Sequence, residues 1–289
     1  MADRNRRLAN NAEGEFFVDS TCINCDTCRQ LAPDTFADSG DCSHVYLQPA
    51  AAGQRREAFR AMVACPTGSI GAASPLEARA AAAEFPLELE DSVFYCGFNS
   101  EKSFGGNSYF VRRPEGNWLI DSPRYVETLA RRFEAMGGVR HIFLTHRDDV
   151  ADADKWARRF DAKRIIHRLE LPAQPGAEMV LEGADPLLLA DEFLAIPTPG
   201  HTRGHTGMLY RGKYLFTGDH LWWSRERRRL HASRSVCWYS WPRQVESMDR
   251  LSRYEFEWVL PGHGERVRLP RQQMREQMEN LTRLMRAAA

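Results

Sequence analysis

Residues 198–210 read TPGHTRGHTGMLY. A Pro-Gly turn stands directly before His201, and an apolar strand, Met208-Leu209-Tyr210, follows. Pro-Gly lets the chain reverse sharply. A side chain placed straight after such a turn projects from the end of a strand instead of lying in its pleat. One histidine in a turn is usually structural, but here the arrangement recurs. FLTHRDDVADADKWARRF (143–160) places His146 after Ile142-Phe143-Leu144, YLFTGDHL (214–221) places Asp219 after Thr-Gly, and WVLPGHGE (258–265) places His263 after Pro-Gly. Four strand ends, each presenting an imidazole or a carboxylate, offer the mixed nitrogen and oxygen donors that a transition metal takes.

Around these motifs, apolar strands alternate with amphipathic helices from about residue 90 onward. Strands are predicted over 92–95, 108–112, 118–120, 141–144, 164–167, 193–196, 208–210, 214–216 and 257–260, and helices over 124–136, 152–160, 242–253 and 271–287. Met274, Met278, Leu281 and Met285 fall at helical spacing, the mark of a surface helix with one packed face. The 289-residue chain carries 39 Lys and Arg against 39 Asp and Glu. That balance argues against nucleic acid or an anionic membrane as partner. The polar start, MADRNRRLANNAEGEF, has no apolar core of a secretory signal, and no apolar run approaches the ~20 residues that span a bilayer. A soluble, cytoplasmic protein is expected, without internal repeats.

The first third of the chain differs in kind. Three of the whole chain's seven cysteines crowd into CINCDTC (22–28), and Cys65 stands in CPTGSIG (65–71). In a reducing compartment such crowding means metal or cluster ligation rather than disulfides. Cys22, Cys25 and Cys28 can converge on one face of a cluster, with Cys65 completing the four thiolates of a cubane. A zinc site is the alternative, but it pairs two separated C-x-x-C knuckles. Residues 14 to 72, with C-x-x-C-x-x-C, then APDTF, then CPTGSI, resemble single-cluster bacterial ferredoxins. The resemblance implies a four-iron four-sulfur cluster on Cys22, Cys25, Cys28 and Cys65 in a small β-α-β-β-α-β-like fold. Cys42, Cys96 and Cys237 are read as structural thiols. The Ala-rich PLEARAAAAEFP (75–86), closed by Pro86, reads as a connecting helix. The expected domains are therefore 1–74, a connector 75–89, and 90–289.

Residues 90 to 289 resemble the metallo-β-lactamase superfamily, whose glyoxalase-type hydrolases carry TPGHTxGH, GD and PGHG in this order. The resemblance implies an αββα sandwich, hence an α+β chain overall, with metal bound by His146, His201, Asp219 and His263. Asp121, between a strand and Ser-Pro, matches a buried structural aspartate of that fold, and His205 reads as a supporting residue. The first motif departs from the family's H-x-H-x-D-H. Asp148 stands for the second histidine, and Val150 and Ala151 replace the Asp-His pair. Neither Val150 nor Ala151 can hold a second metal, so a single iron, manganese or zinc is expected, with Asp148 and Asp219 as the catalytic carboxylates. Asp148 is balanced between ligation and solvation at a helix start. Asp149, three residues before Asp152, reads as the cap of the following helix.

After Asp219 comes HLWWSRERRRLHASRSVCWYSWP, in which tryptophans and Tyr239 flank the arginines from Arg225 to Arg229. Near a site mouth these would hold an apolar, anionic small molecule; beneath a solvated arginine face they would only pack. A cluster adds nothing to ester hydrolysis. The fusion therefore predicts an oxidoreductase in which the cluster exchanges electrons with the metal or its substrate, served by an electron-transfer partner. A hydrolase of thioester, ester or lactone bonds is the second reading. A redox sensor or docking protein with a vestigial site is the third. An oligomer is compatible with all three.

Overall fold

The computed structural model describes residues 2–288. It divides into two units, one running to Arg140 and including Ala151–Ala162, the other comprising His141–Val150 and the chain from Lys163 onward.

The first unit opens with β1 (Phe17–Val18), α1 (Thr27–Leu31), β2 (Phe36–Asp38), β3 (Ser43–Val45), α2 (Ala52–Ala64) and β4 (Ile70–Gly71). This is the β-α-β-β-α-β order expected from the cysteine motif. β1 pairs with β4 and β2 with β3, both antiparallel. Phe16, Phe36 and Phe59 fill its core, with Phe16 and Phe59 edge-on at 4.9 Å. The Ala-rich stretch forms α3 (Pro75–Glu84), started by Pro75 and by Ser74, whose hydroxyl accepts the Glu77 amide. It does not hang as a loose tether. Arg55 on α2 pairs with Glu77 at 2.7 Å and with Glu15 at 2.9 Å, while Glu84 takes Arg56 at 2.7 Å and Arg60 at 2.5 Å.

The same unit continues into a meander of β5 (Leu87–Glu90), β6 (Val93–Tyr95), β7 (Tyr109–Val111) and β8 (Trp118–Ile120), paired in sequence. Every residue of β6, β7 and β8 is buried, as befits strands covered on both faces. α4 (Glu127–Ala135) and α5 (Ala153–Phe160) cover them: Phe133 stacks on Phe110 at 4.5 Å, and the wholly buried Trp156 donates to the Pro123 carbonyl at 3.0 Å.

In the second unit β9 (His141–Phe143), β10 (Lys163–His167) and β11 (Met179–Leu181) run parallel. A six-stranded sheet is ordered β12 (Leu187–Ala190), β13 (Phe193–Pro197), β14 (Thr206–Tyr210), β15 (Tyr214–Gly218), β18 (Trp258–Pro261), β19 (Val267–Arg268). Only β15 and β18 in it are parallel, so Gly218 and Pro261 finish side by side and deliver the residues after them to one edge. The arginine-rich insert forms a hairpin, β16 (Trp222–Ser224) and β17 (Arg229–His231). α6 (Trp241–Leu251) and α7 (Arg271–Ala287) close the unit, and Met274, Met278, Leu281 and Met285 are buried on one face as their spacing predicts. Strands β5, β11, β12, β16, β17 and β19 were not predicted; they are short, and several of their apolar residues, such as Leu187 and Leu188, are exposed. Among the described residues no helix is long and apolar enough to cross a membrane.

Candidate metal centre and cluster site

Cys22, Cys25, Cys28 and Cys65 line one small cavity with Val18, Ile70 and the hydroxyls of Thr27, Ser43, Thr67 and Ser69. Asn24 and Asp26 adopt left-handed φ angles of 56° and 69°, which fold the C-x-x-C-x-x-C loop so that its thiols face inward. The amides of Asn24 and Ser43 each point at the Cys22 sulfur from 3.4 Å. Burial pushes the Cys25 thiol up to about 11 and Cys28 higher still, and the neighbouring thiols add to both shifts. Cys25 and Cys28, buried in this cavity, ionise only against strong positive charge, which iron supplies. Donor set, amides and cavity all fit the cluster. Cys42 lies outside this set and donates to the Cys22 carbonyl at 3.6 Å; Cys237 donates to the Gly200 carbonyl at 3.2 Å, and Cys96 is buried.

The second site lies at the ends of β9, β13, β15 and β18. His146 follows β9 with its ring buried; its Nδ1 shares a hydrogen bond with Thr145 Oγ1 at 2.9 Å, leaving Nε2 toward the carboxylates. His201, in the β13–β14 turn, donates from Nδ1 to the Val236 carbonyl at 2.5 Å. That bond fixes the tautomer whose Nε2 lone pair faces the site. Asp219 Oδ2 stands 3.6 Å from Nε2 of both histidines, and its Oδ1 accepts from His263 Nδ1 at 2.9 Å. Asp148 Oδ2 lies 3.4 Å from His201 Nε2 and 3.8 Å from His146 Nε2.

Asp149 departs from expectation. It caps no helix: Arg147–Asp149 form a 3-10 turn, α5 starts later with no side-chain cap, and Asp149 is wholly buried. Both its oxygens lack a hydrogen-bond partner among the described residues. A bare buried carboxylate costs several kcal/mol, on the order of the penalty for any unpaired buried ion, so Asp149 must be neutralised there, by a proton or by a bound cation. His146, Asp149 and Asp219 bring ligand atoms within 4.8 Å of one another, as do His146, Asp148 and His201. Two overlapping triads therefore share His146, and Asp149 supplies a donor that the loss of Asp and His at 150 and 151 had removed. The sequence signal was present as the Asp-Asp pair after His146, but helix capping explained it equally well.

Electrostatics follow from this crowding. Burial, reinforced by the Asp219 charge, pushes Asp149 up to about 6. Burial would raise Asp219 too, but His263 and His146 hold it well below the usual carboxylate range. His201 keeps Asp148 low as well. His205 is no ligand: its Nδ1 bonds Thr198 Oγ1 at 2.8 Å and its Nε2 accepts the Asp219 amide at 3.2 Å, so it holds the Asp219 backbone. Burial keeps it neutral. Glu170, also buried, takes Arg147 Nε at 2.5 Å and the Gly204 amide at 2.6 Å, tying the His146 turn to the His201 loop. Asp121, in the first unit, is buried with φ of 56°. Of the insert, Trp222 and Trp223 are half-buried and Arg225 pairs with Glu265. Trp238 is 67% exposed, with its ring 6.0 Å from that of His201, and Arg203 lies 5.2 Å over the Tyr239 ring.

Comparison with known proteins finds two families in the chain. Residues 18–72 match the 4Fe-4S single cluster domain of ferredoxin I, and residues 103–263 match the metallo-beta-lactamase superfamily. The second match spans more than half of the chain, which therefore belongs to the metallo-beta-lactamase superfamily. Among solved structures, the chain is similar to DIM-1 metallo-beta-lactamase (20% identity, TM-score 0.53, covering 70% of this chain and 96% of that one). It is similar to VMB-1 (17%, 0.52, 70% and 95%) and to a metallo-beta-lactamase family protein from Thermus thermophilus (16%, 0.51, 69% and 81%). The fold class is accordingly α+β, a ferredoxin-like segment followed by an αββα sandwich.

Proposed function

We propose that the protein is an oxidoreductase whose four-iron four-sulfur cluster exchanges electrons with a carboxylate-rich metal centre or with the substrate bound there. The observation that carries this is Asp149, a third aspartate buried without a partner beside Asp219. Together with Asp148 and Asp219 it gives the pocket as many carboxylates as imidazoles, three of each, a mixed donor set that suits iron or manganese as well as zinc. His146, Asp148 and His201 would hold one ion, and Asp149, Asp219 and His263 the neighbouring position. Metal bound there would supply Lewis acidity and, as iron or manganese, a one-electron couple. Of the chain's own groups, His205 and Glu170 keep the ligands in place. Asp148, half exposed, is placed to hold or release a proton at the mouth. Trp238, Tyr239 and Arg203 offer an aromatic and cationic wall to a small apolar anion, and an electron-transfer protein would serve the cluster.

The expectation of one metal rested on Val150 and Ala151; the pocket with Asp149 supports two adjacent positions instead. Anaerobic purification with metal analysis and electron paramagnetic resonance tests the proposal. Iron or manganese beyond the cluster's own irons, coupled spectroscopically to a reducible cluster, is expected. Cluster iron alone would sink every enzymatic reading. Zinc in the second site, with thioester or lactone turnover, would replace this reading by a hydrolase. His146→Ala is expected to abolish metal binding at the position it shares with Asp148 and His201; full retention there refutes the assignment.

A further inference from the structure

A buried polar group from outside the ferredoxin-like segment reaches one of the cluster cysteines. Asn99, fully buried in the loop after β6, donates from Nδ2 to Thr27 Oγ1 at 3.1 Å and to the Gly105 carbonyl at 2.7 Å. The Tyr95 hydroxyl donates to its Oδ1 at 2.9 Å, which fixes the amide with its nitrogen toward Thr27. Thr27 Oγ1 in turn lies 3.4 Å from Cys25 Sγ. Gly105 presses on the same cysteine: with φ of +86°, a Cβ there would lie 2.9 Å from Cys25 Sγ.

We infer that Asn99 is a positioning residue for the cluster, acting through Thr27 to direct a hydrogen bond onto the Cys25 sulfur and so raise the cluster's reduction potential. A hydroxyl has one proton. With Asn99 donating to its oxygen, Thr27 must donate elsewhere, and two acceptors are in reach. The Gly105 carbonyl, 3.4 Å away, already takes the short Asn99 bond, and 3.4 Å is long for O–H···O. The free Cys25 thiol donates to Thr27 Oγ1 at 3.4 Å; once it ligates iron it has no proton to give, and as a thiolate at that distance it is the stronger acceptor of the Thr27 hydroxyl. A hydrogen bond to a cluster sulfur favours the reduced, more negative state. Donation by Asn99 to Thr27 also polarises that hydroxyl and strengthens its bond to sulfur. The residues from 95 to 105 thus belong to the cluster's electrostatic environment, although residues 18–72 alone carry its ligands.

A potentiometric titration of the full chain, followed by electron paramagnetic resonance of the cluster, tests this. Thr27→Val, which keeps the shape and removes the hydroxyl, is expected to move the midpoint negative. At the wild-type midpoint its ratio of reduced to oxidised cluster should fall by about threefold or more. Asn99→Ala should move it the same way by less, and the double variant should match Thr27→Val alone, because Asn99 acts only through that hydroxyl. Thr27→Ser should stay at the wild-type value. An unshifted midpoint in Thr27→Val with full iron content overturns the inference, as does strict additivity in the double variant. Where Asn99→Ala fails to retain iron, Tyr95→Phe, which frees the amide to turn, carries the same expectation of a negative shift. An unmoved midpoint there overturns it equally.

Discussion

At the scale of single residues, the proposed metal site turns on the charge of Asp149. Its carboxyl is pushed up to about 6 by burial and by Asp219. In metal-free protein the folded state therefore binds a proton that the unfolded state releases near pH ~4. The sign follows: that contribution to stability is present below the unfolded pKa and is lost as pH rises through about 6. Chemical denaturation of apoprotein between about pH 4 and 7 should show this loss, and Asp149→Asn should remove it while also lowering metal content. Metal reverses the trend, since ligation requires the carboxylate and metal affinity must fall as pH drops below about 6. Asp149→Asn that keeps its full complement of metal would exclude the residue as a ligand. Gly262 gives a second residue-scale test. A Cβ there would lie 2.5 Å from Asp149 Oδ2 and 2.7 Å from Asp219 Oδ1. Gly262→Ala should push both carboxylates apart and weaken metal binding about tenfold or more, as small displacements of ligands do. Unchanged affinity by metal titration would show that neither oxygen is needed.

At the scale of elements, the helix after the motif is anchored by Asp152, not by Asp149. Asp152 is buried, takes Lys102 at 2.7 Å and accepts the Tyr125 amide at 2.9 Å. Burial would raise its pKa, but these partners hold it below the usual carboxylate range. Its contribution to stability is thus present above the unfolded pKa and lost as pH falls through the folded value. Asp152→Ala should cost about 1 kcal/mol at neutral pH, because it removes the acceptor of the Tyr125 amide while the exposed Lys102 is resolvated, read as a lower denaturant midpoint. A cost within ~0.5 kcal/mol would mean the pair is only a surface contact. Elements whose ends carry local chemistry were legible in advance. Ser74-Pro75 starts α3 where the sequence placed it, and the stripe from Met274 to Met285 lies on the face predicted for α7. The missed strands are only two to four residues long, too short for a periodicity to stand out even where β5 alternates Leu and Glu, and they depend on pairing with a neighbour, as the hairpin of β16 and β17 does.

At the scale of the whole molecule, the cluster is also a structural group. Four cysteines line the cavity between β1, α1 and β4, so iron must support the packing of that segment. Anaerobic chelation should remove amide hydrogen-exchange protection from β1 to β4 while leaving β13, β14 and β15 protected. Unaltered protection around Cys22 to Cys28 would show a core that folds without its cluster.

Sequence alone determined the class of the protein. Cys22, Cys25, Cys28 and Cys65, and the turn-borne His146, His201, Asp219 and His263, are chemical groups carried with their own local signals. Pro-Gly, Thr-Gly and C-x-x-C act within a few residues, so they can be read without knowing what lies across the fold. Only the tertiary structure decided the burial of Asp149, the docking of α3 on α2 and the reach of Asn99 to Thr27. A carboxylate after a histidine has the same local pattern whether it caps a helix or faces a metal. The difference is made by Asp219 and Gly262, which arrive from distant strands and leave that carboxylate buried beside a second negative charge.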